Sequence, residues 1–599
     1  MIRLARVVAV AAVLLATLPV SARVAAAQDT LQVRPDTAEA PALQDSVAEP
    51  ALPIVLPTPP GNVPIGPLPP HTRYVFTRDS VLWSSHQTLG ELLAEIPGVY
   101  LTRSGFLGEP TYAQYGGRGG SGLTVYWDGM EWQALGNDTL FAEPGQIPLV
   151  YLRRVEVEVA PAALKVYLVS ERHERPATRS VVRIASGSFS SAAYAGMFQY
   201  HWNSGITLDL AANFHGTDGL NGLAQSDQLD LWAKVGWMPS PTVGATYQIV
   251  RRNFDRAEVT ADDEVAIPEL QGARTDYLFS MFAGTRADGL GLRAEGGLAS
   301  SSWSPDSGAA LPEQRVRQAW ARVGYARPSW SAGIRGRLAD ARTTASVEGR
   351  LGWVPVPGIA LAGDAYWRQH KGDRTSKGVN ASAGLYHGFA SLTGAISLND
   401  AVQAPSLLSD TATATLDWSV TAGLDTKWLT GHAGLARRDA YQALPYPDLA
   451  LIAELSPSPA TTYAVADLRV RPTRWLTLGG WYSDPVSGEA ADFQPPKHAR
   501  WEATLRSKFW PTFRSGVFDL KVEVAAESWS TGTAGLDAGG QSIILPGATF
   551  WEFHVSFQIV SFTAFWNLRN ARLTEGQFVP RLAYPVSAQY FGVHWTFSS

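Results

Sequence analysis

Residues 551–559 read WEFHVSFQI, so that apolar side chains alternate with polar ones along the whole stretch. In a β-strand, the set from Trp551 to Ile559 would cover one face and the set containing His554 the other. Such a strand therefore separates an apolar environment from a polar one. About nine to eleven residues is also the length that a tilted membrane-crossing strand needs.

The same pattern extends over the rest of the C-terminal two thirds of the chain. From about Arg179 onward we count about 22 candidate strands of about 10 to 15 residues, with no helical periods between them. Residues 501–509, 518–524 and 591–597 repeat the alternation, and apolar aromatic side chains recur on one face. This predicts a large antiparallel β structure.

Connection lengths favour a membrane barrel over a string of soluble sandwiches. Short links such as Asn203–Gly205 and Arg327–Ser329 alternate with long ones such as 254–272, 436–460 and 531–547. Outer-membrane barrels have short turns on the periplasmic side and long loops outside. An even strand number would leave both chain ends at the periplasmic side.

The amino-acid composition excludes several classes of function. The 599 residues include 21 Trp, 20 Tyr, 22 Phe and 55 Gly, with 17% charged residues and a formal net charge of −5. The absence of Cys excludes disulfides, thiolate metal sites and a lipid-anchored N-terminus. The slightly acidic balance gives no electrostatic footprint for nucleic acid.

The N-terminal residues predict export followed by a tether. Residues 1–27 contain two arginines, an apolar run from Val7 to Leu18 and Ala25–Ala27, which is the pattern of a signal peptide. Residues 28–72 are rich in proline, so we expect an extended linker rather than helix or sheet.

Residues 73–185 predict a small α+β domain. Thr88 can N-cap a short helix that has Glu91 at the third helical position and ends at Pro97 and Gly98. Short strands follow, and a glycine-rich turn at 115–120 lies between the first two. The domains are therefore expected at 73–185 and 186–599.

The chain resembles the TonB-dependent outer-membrane receptors. The plug-domain motifs that carry the resemblance include Pro97, Gly98, Gly117, Arg118, Gly119, Asp128, Gly129 and Glu156. Trp595 and Phe597 match the family's closing strand, which the barrel-assembly machinery reads.

The resemblance implies an all-β transmembrane barrel of about 22 antiparallel strands with an N-terminal α+β plug inside the lumen. It also implies import of a siderophore, cobalamin or oligosaccharide by a monomer in the outer membrane. A TonB-like partner would pair with a short segment by β-augmentation. Asp29, Thr30, Leu31, Gln32 and Val33 have the composition and place of that segment, and an ordinary solvated N-terminus remains the alternative.

Two regions depart from the family pattern. Residues 160–178 lack the usual glycines, so this end of the plug should turn differently. The chain also ends Phe597-Ser598-Ser599 rather than on an aromatic residue.

No catalytic, cofactor or metal-binding motif is evident, and we expect none of these functions. Arg118 is expected to pair with a carboxylate of the barrel wall rather than with substrate. The alternative to energised import is a plugged barrel that acts without TonB, as a porin or surface receptor. A barrel enzyme is the third alternative.

Overall fold

The architecture comes from a computed structural model of the chain. It describes residues Pro69, 71–105, 108–137, 139–173, 177–220, 224–306, 311–509, 512, 515 and 517–598. The predicted signal peptide and the segment 29–33 lie outside these residues, as does nearly all of the predicted tether.

The N-terminal part forms a small α+β domain. Its elements are β1 (Arg73–Thr77), α1 (Arg78–Leu82), α2 (Leu89–Leu93), β2 (Tyr100–Arg103), β3 (Thr111–Gln114), β4 (Leu123–Trp127), β5 (Met130–Glu131), β6 (Leu152–Ala160) and β7 (Ala163–Ser170). Five of the strands form one sheet in the order β1-β6-β7-β4-β5, with β4 and β7 parallel. Strands β2 and β3 form a separate hairpin.

Helix α2 begins where the sequence predicted. The Thr88 hydroxyl accepts a hydrogen bond from Glu91 N at 3.4 Å, and the Glu91 carboxylate accepts one from Gln87 N at 2.7 Å. These bonds satisfy two backbone donors at the start of the helix. Gly98, with a φ of 80°, then reverses the chain in a conformation that favours glycine.

The rest of the described chain is mainly β-strand. The strands are β8 (Thr178–Gly187), β9 (Ala192–His201), β10 (Ile206–Thr217), β11 (Ser226–Ser240), β12 (Val243–Arg256), β13 (Val259–Ala261), β14 (Glu264–Ile267), β15 (Leu270–Gly284), β16 (Gly291–Pro305), β17 (Gln314–Arg327), β18 (Trp330–Ala339), β19 (Thr343–Trp353), β20 (Ile359–His370), β21 (Thr375–His387), β22 (Ala390–Ala401), β23 (Thr413–Asp425), β24 (Leu429–Arg438), β25 (Thr461–Thr473), β26 (Leu476–Ser487), β27 (His498–Ser507), β28 (Phe518–Trp529), β29 (Gly532–Leu536), β30 (Ser542–Leu545), β31 (Ala548–Ile559), β32 (Phe562–Arg569) and β33 (Ala588–Ser598).

Twenty-two of these strands close into one antiparallel barrel in the described part of the chain. The last strand, β33, pairs with the first, β8, from Tyr590 opposite Gly187 to Ser598 opposite Arg179. The predicted fold class is therefore confirmed, including the strand number. The hairpins β13–β14 and β29–β30 lie in loops outside the barrel wall.

The junction between plug and barrel lies earlier than the predicted boundary between 185 and 186. Strand β8 begins at Thr178 and is already part of the closed wall. Val182 and Ile184 are exposed on it, while Val181 and Ala185 are buried. Residues that alternate in this way belong to the wall, so the plug ends before Thr178.

The two ends of the barrel differ. At the end that we call the inner rim, most links are short, as at 202–205, 241–242 and 328–329. At the opposite end, the outer rim, the links at 257–269, 439–460 and several others are long. The predicted alternation fails in places: 340–342 and 371–374 are short outer links, and 508–517 is a longer inner one.

The outward face of the wall is apolar. Large exposed side chains such as Leu298, Leu338 and Leu351 point away from the lumen, and the exposed aromatic residues Trp237 and Trp353 lie near the inner rim. This arrangement suits lipid with an aromatic belt at the interface. None of the helices in the described residues is long and apolar enough to cross a membrane.

Candidate functional site

Three turns of the plug reach the loops of the outer rim. A Cβ on Gly108 would meet Ser226 at 2.2 Å, one on Gly119 would meet Ala443 at 3.0 Å, and one on Gly136 would lie 3.7 Å from Trp303. Ser226 and Trp303 stand at the outer ends of β11 and β16, and Ala443 belongs to the loop 439–460. The outer end of the plug therefore lies directly under the outer loops.

The turn formed by Gly117, Arg118 and Gly119 makes one of these contacts. Both glycines have positive φ, 68° and 56°, in a conformation that L side chains rarely adopt. The Arg118 Nη2 atom lies 2.5 Å from Asp417 Oδ1 on β23, and its guanidinium lies 4.2 Å from the Tyr441 ring centroid. The expected pairing of Arg118 with a barrel-wall carboxylate is confirmed.

Asp417 joins this turn to an outer loop as well. Its Oδ1 accepts a hydrogen bond from Asp439 N at 2.8 Å, so the same carboxylate holds both Arg118 and the start of the loop 439–460. Both Arg118 and Asp417 are buried. A movement of Arg118 would therefore remove its pair with Asp417 and its contact with the Tyr441 ring of the same loop.

Apolar packing between plug and loops surrounds these polar contacts. We call it the outer cluster, and its aromatic members are Tyr100, Tyr112, Phe141, Tyr446, Phe493, Trp529, Phe550, Phe578 and Tyr584. The rings of Tyr112 and Tyr446 stack with centroids 4.1 Å apart, and Phe141 meets Tyr446 edge-on at 5.7 Å. Three of the nine aromatic side chains come from the plug and six from the barrel and its loops, so plug and loops share one core.

A buried acidic pair lies beside the outer cluster. The Tyr112 hydroxyl donates to Asp448 Oδ2 at 3.2 Å, and Arg256 Nη2 lies 3.6 Å from Asp448 Oδ1. Glu143 of the plug accepts from Thr111 N at 3.2 Å and from Gln146 Nε2 at 2.6 Å. Burial and then the Asp448 carboxylate raise the pKa of Glu143 to about 8, against the opposing effect of Arg256.

Asp128 and Gly129 contact the wall rather than the loops. Asp128 accepts from Ser170 N at 3.0 Å and from Gln248 Nε2 at 2.7 Å. Arg335 donates to the Gly129 carbonyl at 2.6 Å, and a Cβ on Gly129 would lie 2.2 Å from Trp320. The turn therefore holds β4 and β7 together and seats this side of the plug against strands β12, β17 and β18.

Glu156, Pro97 and Gly98 contribute to the fold of the plug itself. Glu156 is buried and forms ion pairs with Arg73 and, at 2.8 Å, with Arg154. Pro97 and Gly98 follow α2 and turn the chain into β2. None of these positions contacts the outer cluster in the interactions described, so the sequence motif mixes site residues with purely architectural ones.

Charged contacts between plug and wall form a second group, which we call the wall ion pairs. Lys165 lies 2.8 Å from Glu348 and 2.9 Å from Asp364, and Arg350 pairs with Glu158. Two further pairs join α2 and the turn that follows it to the wall, namely Glu91–Arg569 at 2.6 Å and Glu95–Arg500 at 3.2 Å. A cavity of about 100 Å³ adjoins Lys165 and Arg350.

The segment after β6 turns without glycine. Pro161 and Ala162 alone connect β6 to β7, and Ala160 pairs with Ala163 across this tight hairpin. At the other end of the chain, Trp595 and Phe597 lie exposed on β33 with ring centroids 4.5 Å apart. They face outward on the strand that closes the barrel.

Sequence reasoning missed the Glu143–Asp448 neighbourhood and the stacked pair Tyr112 and Tyr446. No local signal could have found them, because their partners lie about 300 residues apart in the chain. The outer loops' richness in aromatic residues was the one available hint. A separate group of possible metal ligands, His71, Asp425 and His432, lies near the inner rim.

Comparison with known proteins supports the fold. No protein-family model matches the chain, and no curated protein matches it significantly. Solved structures that are similar include the ferric enterobactin receptor PfeA of Pseudomonas aeruginosa, with a TM-score of 0.67 and 11% identity over 88% of this chain and 99% of that one. The siderophore receptor PirA of Acinetobacter baumannii gives 0.65 and 9% over 88% and 98%. The copper transporter OprC gives 0.68 and 10% over 88% and 98%. At these identities the comparison establishes a shared fold.

Proposed function

We propose that this chain is a TonB-dependent outer-membrane receptor that imports a scarce nutrient. The observation that carries the proposal is a plug packed inside a closed 22-strand barrel, with the outer loops sharing a core with its outer turns. A barrel of this width has a lumen that wall side chains cannot fill. Substrate would bind between the loops and the Gly117–Gly119 turn.

The names of the similar structures support one substrate class within this proposal. Two are named as siderophore or enterobactin receptors and one as a copper transporter. Among the siderophore, cobalamin and oligosaccharide classes, a chelated metal therefore has the most support. The chain would be exported by its signal peptide, reside in the outer membrane as a monomer and keep both termini in the periplasm.

Transport requires no covalent chemistry from the residues of the site. Substrate binding would compete with the outer cluster and with the Arg118–Asp417 pair, so that the loops and the plug change position together. A TonB-like partner pulling on residues 29–33 would then move the plug and release substrate to the periplasm. The protein supplies two states of different affinity, and the partner supplies work.

A disulfide between the plug and an outer loop tests whether the two must separate during import. The chain has no cysteine, and a Cβ on Gly117 would lie 3.1 Å from that of Ala491, slightly below the range of a disulfide. In iron-starved cells supplied with radiolabelled ferric siderophores, the variant with both Gly117→Cys and Ala491→Cys should import label only after reduction. Each single variant is the control.

Import by the oxidised double variant at the rate of the single variants would contradict the proposed entry route. Import that occurs without a TonB-like partner would instead favour the porin or surface receptor.

A further inference from the structure

A cluster of imidazole and carboxylate groups lies near the inner rim, far from the outer cluster. His71 precedes β1, Asp425 ends β23, and His432 lies on the next strand, β24. One ligand atom from each of these three residues lies within 4.8 Å of the other two. The cluster joins the beginning of the plug to the barrel wall, at the point where the predicted tether ends.

His432 is oriented as metal-binding histidines are. Its Nδ1 atom lies 2.7 Å from Asp467 Oδ2 on β25, and this contact fixes which ring nitrogen is free. Its Nε2 atom is buried and makes no hydrogen bond within the described residues. Asp425 Oδ1 lies 3.8 Å from that atom. A buried nitrogen with a fixed orientation and no hydrogen bond is a ready ligand.

His71 is brought to the same place by an uncommon backbone conformation. Its φ of 67° lies in the left-handed region, and its ring centroid lies 3.4 Å from that of His432. Its Nε2 atom is 3.3 Å from the Ser391 hydroxyl. Strained backbone of this kind persists where the surroundings hold it, often at functional positions.

A glycine makes room for both rings. A Cβ on Gly423 would lie 2.6 Å from His71 Nε2 and 2.8 Å from a carbon of the His432 ring. Any other residue at Gly423 would push at least one imidazole away. The wall therefore leaves a recess that the two histidines occupy.

We propose that His71, Asp425 and His432 bind a divalent transition-metal ion of the zinc class and clamp the start of the plug to the wall. Two imidazoles and one carboxylate are a common donor set for zinc, which then keeps one position open to water. Asp467 is a positioning residue that acts through His432. The ion would hold the chain where force on the tether reaches the plug.

Zinc titration of the whole purified chain tests the site. With a purification tag that lacks histidine and after removal of metal by a chelator, calorimetry should give one zinc site per chain. His71→Ala and His432→Ala should each weaken it at least 100-fold, and Asp467→Asn about 10- to 100-fold. His387→Ala, an exposed histidine near the same rim, is the matched control and should change nothing.

The clamp itself has a separate readout. Because the chain has no cysteine, Thr72→Cys can carry a single spin label. Zinc should reduce the label's mobility, and His71→Ala should abolish that effect. Heat-dependent migration on gels would show that each variant still forms the barrel.

Three outcomes would overturn the proposal. They are no zinc binding at one site per chain, zinc binding that survives His71→Ala, and zinc binding that leaves the label's mobility unchanged. The first outcome would leave His71 and His432 as two rings in contact without a metal. The site does not depend on the proposed transport function, so either can fail alone.

Discussion

The plug is held differently at its outer end and along its sides. At the outer end, the outer cluster buries aromatic side chains from plug and loops in one apolar core. Along the sides, the wall ion pairs join single charged groups, as Lys165 joins Glu348 and Asp364. Apolar burial contributes free energy in proportion to area, whereas a buried ion pair often only balances its desolvation cost.

This difference indicates which contact resists opening. Burying one large apolar side chain is worth about 1.5–3 kcal/mol, so the outer cluster should contribute most of the free energy that closes the loops. The wall ion pairs fix the position of the plug, and the cavity beside Lys165 and Arg350 has room for water at that point. We therefore expect the outer cluster to be the gate and the wall ion pairs to be guides.

The largest effect should come from removing the plug. Deletion of residues 69–177 leaves β8 and the closed wall intact, so it should create a large steady conductance in planar bilayers. Deletion of residues 28–68 alone is the control and should leave the barrel closed. Equal conductance from both variants would mean that the plug does not block the lumen.

Phe578→Ala should open the outer loops. Phe578 is 1% exposed, and its ring centroid lies 4.7 Å from Phe550 and 4.9 Å from Trp529. Loss of a buried phenylalanine costs about 3–5 kcal/mol, so protease cleavage in the outer loops should rise strongly. Leu408→Ala, at a leucine 71% exposed on another outer loop, should change cleavage little.

The contact between the plug and the outer loops should weaken as the pH rises. Because the pKa of Glu143 is raised to about 8, its neutral form is favoured in the closed state, and this contribution is complete below the ordinary pKa near 4.5. This contribution falls by at most about 1.4 kcal/mol per pH unit as the pH rises from about 4.5, and it is lost by about pH 8. Cleavage of the loop 439–460 should increase over that window.

Glu143→Gln is the control for the pH effect. The amide stays neutral, so the variant should lose most of this pH dependence while it keeps the loops closed at high pH. A profile that is unchanged in Glu143→Gln would assign the effect to another group.

The smallest effect should come from the charged contacts of the inner half. Arg506 pairs with Asp519 at 2.9 Å, and its guanidinium lies 4.5 Å from the ring centroid of Trp83 in the plug. The Arg506 side chain is 43% exposed, so Arg506→Ala should cost less than about 1 kcal/mol. The loss, measured by thermal unfolding, should shrink further in high salt.

A cost for Arg506→Ala that equals the cost of Phe578→Ala would contradict the small contribution expected of this partly exposed charged contact. Measurement of Arg506→Ala at low and high salt separates the contribution of charge from that of packing on Trp83. A salt-independent loss would point to packing on Trp83 rather than to charge.

The barrel could be predicted from the sequence and its contacts with the plug could not. Alternation such as that of residues 551–559 is a local property, and a β-strand with one apolar face follows from it directly. The wall partner of Arg118 was expected only as a carboxylate. Its identity, Asp417, lies about 300 residues away in the chain, and no spacing rule reaches that far.

Two details were not predicted correctly. The plug–barrel boundary was placed between 185 and 186, although the strand pattern itself begins at about Arg179, one residue after the start of β8. The recess of His71 and His432 depends on Gly423, whose lack of a side chain matters only in three dimensions.

The most direct test of the proposed function is binding of the full-length protein to the periplasmic domain of a TonB-like partner. Leu31→Pro removes a backbone donor from residues 29–33 and should abolish binding, whereas Ala51→Pro, elsewhere in the tether, should leave it intact. We predict binding that only Leu31→Pro removes. Equal binding by all three proteins, or none by any, would contradict energised import through this segment.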